Sequence, residues 1–235
     1  HMKIDVVGAM CTWTKELSTS FIIDEKIMFD IPQGSFKTLL HNYDLSKIDC
    51  LIISHFHSDH FMDFHLLIDL FKNNFENKKL TVIAPKGCKE RLITIFNCIY
   101  VGFMEGYVND NVTFITAENG KTVEFEGYKI KCYSMSHYIT DAYGYVVSDG
   151  KSKVGFTGDT CMCNNVLKIL KNCQTVFIDT SSVDINLKHL SVGEVLQLQK
   201  DCPSVKFWAV HTNYLSKDLA KDRIDIAEQG QVIYI

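Results

Sequence analysis

Thirteen apolar runs, at residues 3–7, 19–23, 26–30, 50–53, 80–84, 112–116, 121–125, 128–134, 142–148, 152–157, 175–179, 205–210 and 231–235, are rich in Val, Ile, Phe and Tyr. Their length and their β-branched, aromatic make-up predict strands. Apolar residues recur at helical spacing over 35–42, 61–73, 86–97, 164–172 and 191–200, which predicts helices. In the last of these, Ser191 is followed three positions on by Glu194, the pattern of a capping box. Gly120, Gly127 and Gly150 sit in ENGK, FEGY and SDGK, where hairpins need to turn. Strands grouped at first, then alternating with helices in both halves, predict an α/β chain. Its expected form is a four-layer αββα sandwich of two mixed β-sheets, packed face to face and flanked by helices. The segment 98–110, CIYVGFMEGYVND, has no clear period and reads as a flap, a dimer contact or an ordinary packed connection.

Composition narrows the setting. A length of 235 residues suits one domain spanning 1–235, and His1-Met2 has the look of a cloning remnant, so His1 is set aside. No apolar run approaches the roughly 18 residues that cross a bilayer, and the expected location is the cytoplasm. Nine cysteines, an odd number scattered through apolar segments, read as reduced thiols. Cys161-Met162-Cys163 has no second pair to complete a metal set and reads the same way. A formal charge of -4 argues against a broad nucleic-acid surface. Arg91 and Arg223 are the only arginines, so recognition of phosphate would have to lean on bound metal.

The candidate chemistry is concentrated at strand ends. SHFHSDH, residues 54–60, places His55, His57, Asp59 and His60 directly after the apolar run 50–53, where side chains project into a loop over a sheet. Imidazole and carboxylate together suit zinc, and consecutive side chains diverge enough to serve two ions. His137 follows 128–134, Asp159 follows 152–157 in GFTGDT, and His211 follows 205–210. One such residue alone is ordinary loop chemistry; four strand ends all offering His or Asp are not. His41 and His65 lack that context and are read as structural.

H-x-H-x-D-H followed by a later His, a Gly-Asp pair and a final His resembles the metallo-β-lactamase superfamily, over nearly the whole chain from VVGAM to VHTNY. The resemblance implies a dinuclear site for divalent metal, zinc ahead of manganese or iron. In it His55, His57 and His137 hold one ion, Asp59, His60 and His211 the other, and Asp159 bridges. Within the superfamily, TKELSTSFII, FDIPQG, HYITDAYGYVV and KHLS resemble the tRNase Z and cyclic-nucleotide phosphodiesterase branch. That branch implies Asp59 and His189 as catalytic residues, His189 lying 22 positions before His211, and a homodimer. The expected substrate is a cyclic nucleotide or another small phosphodiester. RNA processing of the tRNase Z kind and acyl hydrolysis, as by a lactonase or thioesterase, are the alternatives. The alternative reading of His189 is a residue leading into the helix capped by Ser191.

Overall fold

All thirteen predicted strands are present in the computed structural model, which describes residues 1–100 and 102–235. They are β1 (Lys3–Gly8), β2 (Ser20–Ile23), β3 (Ile27–Phe29), β4 (Cys50–Ile52), β5 (Leu80–Ala84), β6 (Val112–Thr116), β7 (Thr122–Phe125), β8 (Tyr128–His137), β9 (Thr140–Ser148), β10 (Lys153–Phe156), β11 (Thr175–Asp179), β12 (Lys206–Val210) and β13 (Val232–Tyr234). One sheet has the order β13-β1-β2-β3-β4-β5-β6 and the other β12-β11-β10-β9-β8-β7. Both are mixed. β3 to β6 run parallel, as do β10, β11 and β12, while β7, β8 and β9 form antiparallel hairpins.

The two-residue period of each strand sorts its side chains into separate layers. Cys50 and Ile52 of β4 face the opposite sheet, in a core with Phe21, Phe29, Tyr145, Phe156 and Phe177. Leu51 and Ile53 face outward, under helices. Across the sandwich the Phe29 and Phe156 rings stack at 4.9 Å, and Phe21 meets Phe177 at 4.6 Å. The first sheet is covered by α1 (Phe36–Asn42), α3 (Phe64–Asn74), α4 (Cys88–Ile99) and α5 (Met104–Asn111) through Leu39, Leu67, Phe71, Leu92, Phe96 and Val108. The second is covered by α6 (Asn164–Lys171) and α7 (Val192–Asp201), with α8 (Tyr214–Ala220) adding Ala220. This is the αββα sandwich that the apolar pattern predicts.

Three local expectations need correction. The helical stretch 61–73 is two helices: a four-residue turn, α2 (Ser58–Phe61), precedes α3. They part at Met62 and Asp63, where the Asp63 carboxylate accepts the Phe36 N–H at 3.0 Å and its own N–H donates to Ile31 O. β8 runs on past 134, so His137 is its last residue rather than a loop residue beyond it. The segment 98–110, with Val101 outside the described residues, holds the end of α4 and most of α5, and Met104 and Val108 are buried under the first sheet. Among the described residues no helix is long and apolar enough to cross a membrane.

Candidate metal centre

Parallel strands deliver their C-terminal ends to one edge of a sheet, and here both sheets deliver theirs to the same edge of the sandwich. β4 leads through Ile53 and Ser54 to His55; His57 caps α2, whose first turn carries Asp59 and His60. From the other sheet come His137 at the end of β8, Asp159 three residues beyond β10, Asp179 at the end of β11 and His211 directly after β12. Gly158, at φ +59, turns the chain so that Asp159 points inward, and a Cβ there would lie 3.0 Å from both Ser54 Cβ and Tyr143 O.

All seven sequence-derived ligand candidates converge. One ligand atom each of His55, His57, His137 and Asp159 lie within 4.8 Å of one another, and the same holds for Asp59, His60 and His211. His57 Nδ1 is 3.0 Å from His55 Nε2 and 3.3 Å from His137 Nε2. His211 Nε2 is 3.3 Å from both His60 Nε2 and Asp59 Oδ2. Asp159 lies between the groups: its Oδ2 is 3.8 Å from His55 Nε2, 3.7 Å from His137 Nε2 and 3.4 Å from His211 Nε2, while Oδ1 is 3.4 Å from His60 Nε2. His41 and His65 lie outside these groups, as do Cys161 and Cys163.

The outward nitrogens fix which tautomer each ring adopts. His137 Nδ1–H donates to Lys188 O at 2.7 Å and His60 Nδ1–H to Asp30 Oδ2 at 2.7 Å. The Ser54 hydroxyl donates to Asp30 Oδ2, so its oxygen accepts from His55 Nδ1–H at 3.1 Å. The Ser181 hydroxyl donates to Asp179 Oδ1, so its oxygen accepts from His211 Nδ1–H at 3.3 Å. His57 meets Thr140 Oγ1 through its outward Nε2. With protons on the outer nitrogens, the inner ones present lone pairs to each other at hydrogen-bond distance. Such a set needs positive charge at its centre.

Electrostatics say the same. Burial drives His55 well below the usual imidazole range and lowers His57, which keeps both neutral and able to act as ligands. Burial alone would raise Asp59 and Asp159. His211 and His60 outweigh it at both, and the two carboxylates are held well below their usual range. In turn the Asp159 carboxylate, against the effect of burial, raises His60 and His211. The cluster therefore draws in cations, whether protons or metal ions. Among the described residues no donor reaches the buried Asp159 Oδ1 within hydrogen-bond geometry, as expected of an atom reserved for coordination. The donor set fits divalent metal of the zinc type.

His189 stands at the rim. Its Nδ1–H donates to Asp179 Oδ2 at 2.8 Å and lies 4.0 Å from Asp159 Oδ2, and its ring stacks on His211 at 5.2 Å. Burial would lower its pKa, but the Asp179 carboxylate raises it to about 9. With Asp59, His57 and Asp159 it lines a cavity of about 600 Å³ whose mouth is flanked by Trp13, Tyr138 and Ile139. Trp13 is 90% exposed.

Sequence reasoning gave no role to Asp30, Asp179, Ser54 and Ser181, which orient the histidines. Each aspartate is a fully buried acid ending an apolar run, in MFD and FID. An ionisable residue in that position was the available signal.

The two-sheet sandwich is the metallo-β-lactamase fold. Residues 28–212 match the β-lactamase superfamily domain, and the chain belongs to that family. Over 120 residues it is 31% identical to the Ribonuclease Z of Staphylococcus haemolyticus (strain JCSC1435). That match takes in 50% of this chain and 37% of the Ribonuclease Z. Among solved structures, the metallo-β-lactamase-fold protein YhfI of Bacillus subtilis superposes with a TM-score of 0.80 at 17% identity, over 99% of this chain and 98% of YhfI. The short form of human tRNase Z gives 0.78 at 14% identity, over 99% of each chain.

Proposed function

We propose that this chain is a metal-dependent phosphodiesterase acting on cyclic nucleotides or other small phosphodiesters. His55, His57 and His137 would hold one divalent ion, zinc in the first instance, and Asp59, His60 and His211 a second, with Asp159 serving both. Such ions supply Lewis acidity toward phosphoryl oxygens and make water a better acid at neutral pH. Asp59, kept ionised by its histidine neighbours, accepts a hydrogen bond from the attacking water and orients it. His189 is held by Asp179 through Nδ1, so Nε2 is the nitrogen that donates to the leaving oxygen or to a phosphoryl oxygen. Trp13 and Tyr138 offer faces for a nucleobase or another aromatic group.

The observation that carries this reading is the His189–Asp179 pair, a proton donor with its own anchoring carboxylate, at the rim of the ligand cluster and in the same cavity. It suits the developing charge of a phosphodiester's leaving alkoxide. The test is His189→Ala in zinc- or manganese-loaded protein, assayed on bis-p-nitrophenyl phosphate. Turnover is expected to fall by roughly 10²–10⁴ with metal content unchanged; unaltered turnover would reduce His189 to a structural residue.

A second reading, processing of RNA, is favoured by the 31% identity to a Ribonuclease Z. The charge of -4 weighs against it by weakening long-range attraction to a polyanion. Cleavage of a pre-tRNA, faster per enzyme than that of any 2′,3′- or 3′,5′-cyclic nucleotide, would establish this second reading over the first.

A further inference from the structure

A second cavity, of about 570 Å³, adjoins the first and shares His57, Ile139 and Thr140 with it. Its outer wall carries Lys86 and Arg91, one of only two arginines in the chain. The Arg91 guanidinium lies 4.3 Å over the Phe56 ring, between the candidate ligands His55 and His57, and donates to Gly87 O at 3.3 Å. A Cβ on Gly87 would come within 2.6 Å of its Nη1, so glycine is what lets the side chain fold back there. Among the described residues neither Lys86 nor Arg91 forms an ion pair, and Asp141 is the one carboxylate in the cavity. Two cations, one of them pinned by a ring and a carbonyl, thus face open space next to the hydrolytic centre. A preoriented guanidinium without an acidic partner is suited to a phosphate oxyanion.

We infer that Lys86 and Arg91 form an anion subsite that takes a second phosphate of the substrate while the first is cleaved beside His57. This rests on the phosphodiesterase reading and narrows it: the preferred substrate is a phosphodiester that carries another phosphate. Asp141 opposes the subsite, so removing its charge strengthens binding there.

Two substrates that differ by one group test this: p-nitrophenyl thymidine 5′-phosphate, and the same ester bearing a 3′-phosphate. In the metal-loaded protein the added phosphate is expected to raise kcat/KM by about tenfold to a hundredfold, as charge-assisted contacts of this kind do. Lys86→Gln/Arg91→Gln erases the advantage through KM and leaves turnover of the unphosphorylated ester, metal content and Tm unchanged. Arg91→Lys restores part of it, and Asp141→Asn enlarges it. A p-nitrophenyl ester of thymidylyl-thymidine, whose second phosphate is a backbone diester, tells whether a terminal or a chain phosphate is preferred; either supports the subsite if its advantage disappears in the double variant. Equal kcat/KM for all three esters in the wild type, or an advantage that survives the double substitution, overturns the inference. If no ester is cleaved, the phosphodiesterase reading fails on its own. The subsite is then decided by calorimetry with thymidine 3′,5′-bisphosphate: binding lost in the double variant sustains it, and equal binding overturns it.

Discussion

Asp30 touches no candidate substrate position, yet three donors converge on its carboxylate: the Ser54 N–H, the Ser54 hydroxyl and His60 Nδ1–H, each at 2.7 Å. It thereby sets the ring of His60 directly and that of His55 through Ser54. Its backbone sits at φ +56, a conformation that non-glycine residues rarely adopt, and His211 at +55 and Tyr138 at +53 share it. Asp30 and His211 are buried, and the packing around them sustains that conformation. Asp30→Asn keeps the shape but loses one strong acceptor and the negative charge. Retention of metal against a competing chelator should weaken by about tenfold to a hundredfold, the usual effect of losing such a support. An unchanged metal affinity would mean that Ser54 alone suffices to orient the pair.

At the scale of elements, the turn after β10 does as much as any ligand. Gly158→Ala places a methyl group in a left-handed conformation, against Ser54 Cβ and Tyr143 O at 3.0 Å. We expect destabilisation by about 1–3 kcal/mol in urea unfolding, together with loss of bound metal as Asp159 is displaced; wild-type values of both would deny the turn this role. The strands were legible in the sequence because buried β-structure is written as continuous apolar runs. The candidate ligands were legible because they cluster at the ends of those runs. What escaped notice was short or depended on contacts distant in sequence. α8 buries only Ser216 and Ala220 and is set by the Asn213 capping box, so its seven residues carry little apolar period. α5 is anchored by Met104 and Val108, with the half-buried Tyr107 beside them, and Gly106 lies inside it. α2 is a single turn, below the length at which periodicity can be read. Asp30 and Asp179 became meaningful only once β3 lay parallel to β4, and β11 parallel to β12, which brought them beside Ser54 and His211.

For the molecule as a whole, the cluster is a clasp. Four of the seven candidate ligands, His55, His57, Asp59 and His60, belong to the segment that follows β4 of the first sheet and includes α2, and three, His137, Asp159 and His211, to the second sheet. Below them the two sheets meet mainly through apolar contacts, from Phe21 and Phe29 across to Phe156 and Phe177, joined by the buried Tyr145 hydroxyl, which donates to Ile53 O at 2.8 Å. Under the proposed function, ions held by both sets of ligands would tie the sheets together at the edge where two buried carboxylates would otherwise repel each other. An ion that binds the folded chain and not the unfolded one, present at about 100 times its dissociation constant, stabilises by about 2.7 kcal/mol. At this chain length each kcal/mol moves Tm by about 2–4 °C, so stripping with a chelator should lower Tm by roughly 5–10 °C, and restoring zinc should recover it in proportion to the logarithm of free zinc. The Asp159→Ala protein should start from the lower Tm and respond little to either treatment. A wild-type Tm indifferent to chelation, with metal loss verified by elemental analysis, would show that the sandwich closes without the ions and that the centre serves only chemistry.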